Sequence, residues 1–242
     1  MKKGKNESAP LMDFIRAIIA NDLPKFGKSL ANNVALARQP LPTGATHYRP
    51  KDFFFPKIKH YLFAGDTPLH AASAAHRKEI IGVLLERGAD VAATNRRGAT
   101  PLHYAADGAP GSRAWDPQAQ AATISLLIDA GAKPDVFDKS GVAPLHRAVR
   151  DRCAAAVECL LRKGAAVSVR NKNGSTPLHL AVQTTGKSGS ASPVAKGLQK
   201  EIIKLLLRAG ANPNDRDGRG KSVFESATGE GQSFIHLMSE NA

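Results

Sequence analysis

Apolar residues along most of the chain recur every three or four positions, which is the spacing of one face of an α-helix. The clearest runs contain Ile80, Ile81, Leu84 and Leu85, and Ile202, Ile203, Leu205 and Leu206. Short alanine-rich stretches, such as residues 71–75, precede runs of this kind. The pattern therefore predicts pairs of helices, each with a short first helix that permits close approach and a second helix with an apolar face.

A short motif, Pro-Leu-His preceded by Thr or Ala, occurs four times, with its first residue at positions 67, 100, 143 and 176. A Gly-Ala pair follows each copy, at positions 88, 131, 164 and 210. Successive motifs are 33, 43 and 33 residues apart, so the period is 33 with about ten extra residues in the second unit. The fourth unit has 13 extra residues between its motif and its Gly-Ala pair. A period of this length indicates stacked structural repeats.

Each part of the motif has a physical role in the predicted helix pair. Proline suits the first turn of a helix, where its missing N–H costs nothing, and the preceding Thr can cap that helix. The glycine of the Gly-Ala pair lies where a helix needs a left-handed stop. One unit cannot bury its own apolar face, so its stability depends on neighbouring units.

The 33-residue period with Thr-Pro-Leu-His, an apolar Leu-Leu run and Gly-Ala resembles the ankyrin-repeat family. The resemblance covers residues 62 to about 238, and more weakly residues 11–31. It implies an all-α ankyrin-repeat solenoid, in which β-turn fingers alternate with antiparallel helix pairs. About four full repeats are expected, with degenerate repeats as caps at both ends.

The repeat pattern also predicts where each segment begins and ends. The expected segments are a disordered basic N-terminus (1–10), a degenerate N-terminal capping repeat (11–31), an aromatic-rich basic insertion (32–61), repeat 1 (62–94), repeat 2 (95–137, with an insertion at 107–118), repeat 3 (138–170), repeat 4 (171–216, with an insertion at 185–199) and a C-terminal capping repeat (217–242). The first insertion is expected on the finger side, and the other two on the opposite edge.

The composition narrows the class of protein. Of 242 residues, 42% are hydrophobic and 23% are charged, which is typical of a folded chain. The formal charge is +13, and residues 1–63 contribute about half of it. A basic protein favours acidic or polyanionic partners. No apolar run long enough for a membrane span or a secretory signal is visible, and the two cysteines are expected to be reduced.

Catalytic, cofactor and metal sites are not expected. The four in-phase histidines, His70, His103, His146 and His179, fall one per repeat and so cannot converge on a metal. The family resemblance implies instead that they form hydrogen bonds at the helix starts. Gly-Lys-Ser occurs three times, but none of the copies has the first glycine of a phosphate-binding loop. No nucleophile with a base or paired carboxylates is apparent. We therefore expect neither enzyme activity nor a cofactor.

The fingers carry the main candidates for binding. Eight of sixteen variable finger positions in the second to fifth units are basic and none is acidic. The candidate partner-binding residues in this part of the chain are Arg96, Arg97, Phe137, Lys139, Arg150, Arg170, Lys172, Arg219 and Lys221. Two interpretations are open: the basic tips are simply solvated, with nearby aspartates offsetting their charge, or they prefer an acidic partner.

Aromatic residues form a second group of candidates. Six of the 13 aromatic residues fall within residues 48–63, among them Tyr48, Phe53, Phe54 and Phe55. They either pack the insertion onto its own scaffold or contact a partner, since aromatic side chains dominate binding hot spots. Trp115 is a separate candidate, in a loop expected to be exposed.

The resemblance implies a non-catalytic protein–protein interaction module. We expect it to bind a protein partner with an acidic surface through the concave surface of fingers and first helices. Scaffolding, inhibition of a partner and action as a bacterial effector inside a host cell are all compatible with this. The alternative is sequence-nonspecific association with nucleic acid through the basic fingers and the N-terminal segment. A cytoplasmic, monomeric protein without membrane contact is expected.

Overall fold

The computed structural model of the protein describes residues 9–46, 51–110, 112, 115–183 and 193–227. The chain divides into two compact units: the first comprises Met1–Ala105 and Leu126–Ala132, the second Ala106–Ser125 and Lys133–Ala242. Several predicted features lie wholly or partly outside the described residues. They are the disordered N-terminus, Tyr48, the insertions at 107–118 and 185–199, and the second helix of the C-terminal cap.

The first unit is helical apart from one small hairpin. Its elements are α1 (Ala9–Ala20), α2 (Leu23–Asn32), a 3₁₀ turn (Val34–Ala37), a second 3₁₀ turn (Lys51–Phe53), β1 (Phe54–Phe55), β2 (His60–Tyr61), α3 (Pro68–Ala74), α4 (Lys78–Glu86) and α5 (Pro101–Ala106), whose last residue belongs to the second unit. The two strands pair antiparallel and form a hairpin inside the predicted insertion 32–61. The sequence pattern did not predict this hairpin.

The core of the first unit begins between α1, α2 and α3 and continues into α4 and α5. Four residues on one face of α1 are fully buried: Leu11, Phe14, Ile15 and Ile18. Phe14 stacks on Phe26 of α2, with ring centroids 5.2 Å apart, and α1 packs on α3. The helix pair at the front of the chain therefore packs as the repeats do, although it lacks their motif.

The second unit consists of helices joined by turns. Helix α6 (Pro117–Asp129) begins in it and ends in the first unit, and the other helices are α7 (Pro144–Arg150), α8 (Ala154–Arg162), α9 (Pro177–Ala181), α10 (Pro193–Arg208) and α11 (Val223–Ser226). The predicted all-helical repeat fold is confirmed. No helix in the described part of the chain is long and apolar enough to cross a membrane.

The four Pro-Leu-His motifs are helix starts. Pro68, Pro101, Pro144 and Pro177 are the first residues of α3, α5, α7 and α9. In each motif the histidine Nδ1 accepts the backbone N–H of the residue before proline, at 3.1–3.2 Å. The histidine therefore satisfies one of the N–H groups that a helix start leaves free. This is the hydrogen-bonding role predicted for these residues.

The same histidines connect one repeat to the next. Because Nδ1 accepts a hydrogen bond, the ring proton lies on Nε2, which can donate. The Nε2 atoms of His70, His146 and His179 lie 3.1 Å from Ala99 O, 3.1 Å from Ser175 O and 3.3 Å from Lys221 O. Each acceptor is a carbonyl in the next finger, so a neutral histidine fixes the following finger against its own helix.

Neighbouring fingers also touch through their backbones, which requires glycine. Gly141 has φ of +68°, and a Cβ there would lie 2.8 Å from the backbone nitrogen of Lys172. Gly174 has φ of +71°, and a Cβ there would collide with the backbone of Gly218. Gly218 donates its N–H to Asn173 O at 2.8 Å. Only a residue without a side chain fits both the turn and the neighbour.

The buried leucines provide a test of the core. Leu84→Ala and Leu206→Ala should each lower the free energy of unfolding by about 2–5 kcal/mol, because both side chains are fully buried. Leu23→Ala is the matched control, since Leu23 is 49% exposed and should cost about 0.5 kcal/mol. Urea unfolding followed by circular dichroism measures all three. Equal losses at Leu23 and Leu84 would contradict the assigned core.

A second prediction concerns acid sensitivity. Burial lowers the pKa of His146, and its hydrogen bond to Ser175 only partly opposes this. The unfolded chain then binds a proton more readily than the folded one, so stability is lost as pH falls below about 6.5. His146→Gln should therefore lose less unfolding free energy than the wild type between about pH 7.5 and pH 5.5. Identical losses in the two proteins would show that His146 contributes nothing to this sensitivity.

Candidate binding surfaces of the two units

A half-buried polar residue shapes the turn of each of three fingers in the second unit. Asp138 Oδ1 accepts the N–H of Ser140 at 2.8 Å and of Val142 at 3.0 Å. Asn171 and Asp217 accept the corresponding pairs of N–H groups in the next two fingers, at 2.8–3.1 Å. These polar side chains hold the turn conformation and direct the following residues outward.

The finger aspartates stay ionised because of these turns. Burial alone would raise the pKa of Asp138, but hydrogen bonds from Val142, Arg147 and Ser140 hold it below its ordinary value. Hydrogen bonds from the N–H groups of Arg219 and Lys221 likewise lower the pKa of Asp217, against the effect of burial. Oδ1 of each aspartate accepts from the backbone, Oδ2 of Asp138 accepts from Arg147, and the charge of Arg219 also lowers the pKa of Asp217.

Four of the predicted basic residues form the exposed tips of these fingers: Lys139, Lys172, Arg219 and Lys221. Within the described part of the chain, none of the four side chains forms an ion pair. Phe137 precedes the first of these fingers and is 46% exposed, which is unusual for a large apolar side chain. The structure thus brings a basic set and one exposed aromatic residue to the fingers of a single unit.

Arg170 has a different role from these four. Its guanidinium donates to Gly174 O at 2.9 Å, to Arg216 O at 2.6 Å and to Asp215 at 3.0 Å. Arg216 occupies the equivalent position one finger later and donates to Gly220 O at 2.6 Å. Arg170 therefore ties two fingers together through three hydrogen bonds within the chain.

Arg147 is a key residue that sequence reasoning missed. Its side chain is only 11% exposed and lies between Asp107 at 2.8 Å and Asp138 at 3.0 Å. Burial opposes its charge, but the two carboxylates raise its pKa. A signal was present, since Arg147 directly follows Pro-Leu-His, where the other repeats have Ala, Tyr or Leu. Arg147 joins the start of the 107–118 insertion to a finger.

Two other predicted residues lie close to this ion pair. Arg150 is half-exposed and its guanidinium lies 3.2 Å from Asp151 and 3.5 Å from Asp107. Trp115 was expected to be exposed, but it is half-buried and donates to Gln120 at 3.2 Å. Gln120 in turn donates to the backbone at the end of α5. This hydrogen-bonded chain holds Trp115 against its own scaffold.

In the first unit, the basic finger residues contact the insertion. The guanidinium groups of Arg96 and Arg97 lie 5.3 Å and 4.9 Å from the ring centre of Phe63, within the range of a cation–π interaction. Arg96 also donates to Ala45 O. Both arginines were predicted to bind a partner, and the structure places them against an aromatic residue of the same chain.

The hairpin separates its aromatic side chains onto two faces. Phe54 pairs with Tyr61 and Phe55 pairs with His60, so each pair shares one face. Phe54 and Tyr61 are exposed and their ring centres are 4.8 Å apart. His60 instead lies 4.3 Å from the ring of Tyr104. Of the predicted candidates, Phe53 and Phe55 are half-buried and Phe54 is exposed.

A buried carboxylate supports the base of this hairpin. Asp66 accepts hydrogen bonds from Phe63 N at 2.6 Å, Asn95 at 2.8 Å and the Tyr104 hydroxyl at 2.7 Å. Asp66 is fully buried and Tyr104 nearly so. These donors satisfy a charge that would otherwise be costly to bury. The network holds the end of the insertion, the finger at Asn95 and α5 together.

Comparisons with known proteins agree with the repeat pattern. The family model described as "Ankyrin repeats (3 copies)" matches residues 117–217, and the one described as "Ankyrin repeats (many copies)" matches residues 65–109. The mouse protein "Ankyrin repeat and SOCS box protein 16" is 36% identical over 89 residues, which are 36% of this chain and 19% of the mouse protein. The chain thus matches about a fifth of the length of this curated relative.

The ion pair at Arg147 can be tested with a matched substitution. Arg147→Met should lower the free energy of unfolding by about 3–5 kcal/mol, because it removes the ion pair of the nearly buried Asp138 and the shorter ion pair of Asp107. Arg150→Met removes the same charge at a half-exposed site and should cost less than about 1 kcal/mol. Adding Asp107→Asn to Arg147→Met should restore part of the loss. Similar losses of unfolding free energy in Arg147→Met and Arg150→Met would contradict the assignment of a nearly buried ion pair to Arg147.

Proposed function

The chain belongs to the ankyrin-repeat family, and on that premise we propose that it is a non-catalytic module that binds an acidic protein partner through the fingers of its second unit. Ankyrin repeats are in general protein–protein interaction modules. The proposal concerns recognition alone.

The exposed basic tips carry this proposal. Lys139, Lys172, Arg219 and Lys221 project from three successive fingers, and the acidic residues beside them accept hydrogen bonds from the turn backbone. Their charges are therefore available to a partner. Phe137 supplies an exposed apolar group next to them, of the kind that anchors interfaces.

The proposed mechanism separates attraction from anchoring. The field of the basic tips increases the rate of encounter with an acidic surface more than it strengthens the final complex. The fingers are already held in place by their histidines and glycines, so little conformational entropy is lost on docking. Phe137 and neighbouring apolar groups then account for the lifetime of the complex.

Scaffolding, inhibition of a partner and action as a bacterial effector in a host cell all remain compatible with this proposal, as does a monomeric, cytoplasmic protein. The alternative proposal is sequence-nonspecific nucleic-acid association, supported by the formal charge of +13. Binding of a single strand would in addition use stacking surfaces for unpaired bases, and Phe137 is the one exposed large aromatic residue at the fingers described in the second unit. A partner that is captured from lysate only without nuclease would favour nucleic acid.

A charge-reversal experiment tests the proposed surface. Changing Lys139, Lys172 and Arg219 together to Glu should lower the association rate with the captured protein partner about tenfold or more at low salt. The effect should shrink as salt is raised, because screening acts over about 8–10 Å near physiological ionic strength. Stopped-flow or surface-plasmon measurements at two salt concentrations provide the rates.

The matched control reverses three exposed basic residues of α10 instead: Lys200, Lys204 and Arg208. This variant has the same net charge as the finger variant but leaves the fingers intact, so it should associate almost as fast as the wild type. Thermal melting should be nearly unchanged in both variants. Equal slowing in the two would mean that net charge, rather than the finger surface, governs binding.

A further inference from the structure

A small cleft lies in the first unit and shares no residue with the proposed finger surface. It has a volume of about 220 Å³ and lies between the end of α1 and the turn of the hairpin. Its lining residues are Arg16, Ile19, Ala20, Phe55, Pro56 and Lys57. The walls are almost entirely apolar, while Arg16 and Lys57 place two basic groups at the same opening. The 33-residue pattern does not include the hairpin that forms one wall.

The size of the cleft indicates what it can hold. Sites for small molecules and cofactors usually measure about 300–1,000 Å³, so this cleft is smaller than such sites. One large aliphatic side chain is a better match for its volume and apolar walls. The most suitable occupant is therefore an anchoring residue of a peptide segment.

The charges around the cleft indicate the rest of the partner. Lys57 is exposed and forms no ion pair within the described residues, and Lys51 and Lys59 are exposed in the same hairpin region. Arg16 is paired with Asp13 at 2.9 Å, but both side chains are more than half exposed. Such exposed pairs contribute little, so the arginine can exchange its partner at small cost.

The end of α1 does not counteract this positive charge. Carbonyl groups at a helix end usually favour cations. Here Ile18 O and Ala17 O accept backbone N–H groups at 3.1 Å and 2.9 Å, and Ile19 O accepts from the guanidinium of Arg77 at 3.3 Å. The charged side chains, rather than the carbonyl groups at the end of α1, therefore determine the electrostatic potential at the cleft.

We propose that this cleft binds an acidic peptide segment of a protein partner, with one aliphatic side chain inserted between α1 and the hairpin and flanking carboxylates next to Arg16 and Lys57. A second copy of the chain is a poor occupant, because its formal charge of +13 would be repelled. The site lies in the first unit and does not depend on the finger residues of the proposed function.

The test uses the full chain, labelled with ¹⁵N, and a capped nonapeptide of eight glutamates around a central leucine. Saturable shifts of the amide signals of Ala20 and Lys57 are expected. The same peptide with a central alanine should bind there about tenfold more weakly, since the anchor is lost. A peptide with lysines in place of the glutamates should not bind.

Variants separate the cleft from other basic surfaces. Ala20→Trp fills the cleft and should abolish the shifts at Lys57, while Lys57→Glu should weaken peptide binding about tenfold. Lys78→Glu, an equal charge change at an exposed residue of α4, should leave binding unchanged. Lys57→Glu changes only an exposed side chain, so it keeps the test valid if Ala20→Trp disturbs folding.

Three results would overturn the proposal. One is equal binding of the leucine and alanine peptides, which would indicate charge attraction alone. Another is loss of binding in Phe54→Ser with retention in Ala20→Trp, which would move the site to the outer face of the hairpin. The third is binding to vesicles of anionic phospholipid without binding to the peptide, which would identify a membrane surface. Shifts confined to the second unit would count against the cleft but not against the finger proposal.

Discussion

The neutral histidine that joins a helix start to the next finger, at His70, His146 and His179, is the constraint on which the other features depend. Its two ring nitrogens need opposite roles, one accepting from a backbone N–H and one donating to a carbonyl. Both bonds are buried, where an unmet polar group is costly. Within each unit, the position of a finger therefore follows from the helix before it. Display of Lys172 and Lys221 on the surface therefore rests on the contacts of His146 and His179.

The residue that follows Pro-Leu-His differs between the repeats, and this difference determines which of them bond a carboxylate. Tyr104 and Arg147 occupy this position in two repeats, where the others have Ala or Leu. Each reaches a carboxylate: Tyr104 bonds Asp66, and Arg147 bonds Asp107 and Asp138. Asp107 begins an insertion that the repeat pattern does not explain, so this irregular segment is attached to the regular part of the chain by a residue in which the repeats differ.

Local features of the fold could be predicted from the sequence, and contacts between distant segments could not. Proline marks where α3 and α7 begin because its effect acts within one turn. The motif likewise predicts hydrogen bonding by the histidines. In contrast, no pattern indicates that Arg97 lies over Phe63 or that Arg170 ties two fingers, since these depend on folded geometry. The proposed repeat boundaries and binding residues remain predictions of the sequence.

The bond between His179 and Lys221 spans 42 residues, whereas those of His70 and His146 each span 29. The distance is nearly the same in all three, so the connection is insensitive to how much chain lies between its ends. Additional residues between α9 and α10 consequently leave the phase of the fingers unchanged. The segment between α9 and α10 can therefore accept insertions and deletions during evolution, and a foreign loop can be grafted there.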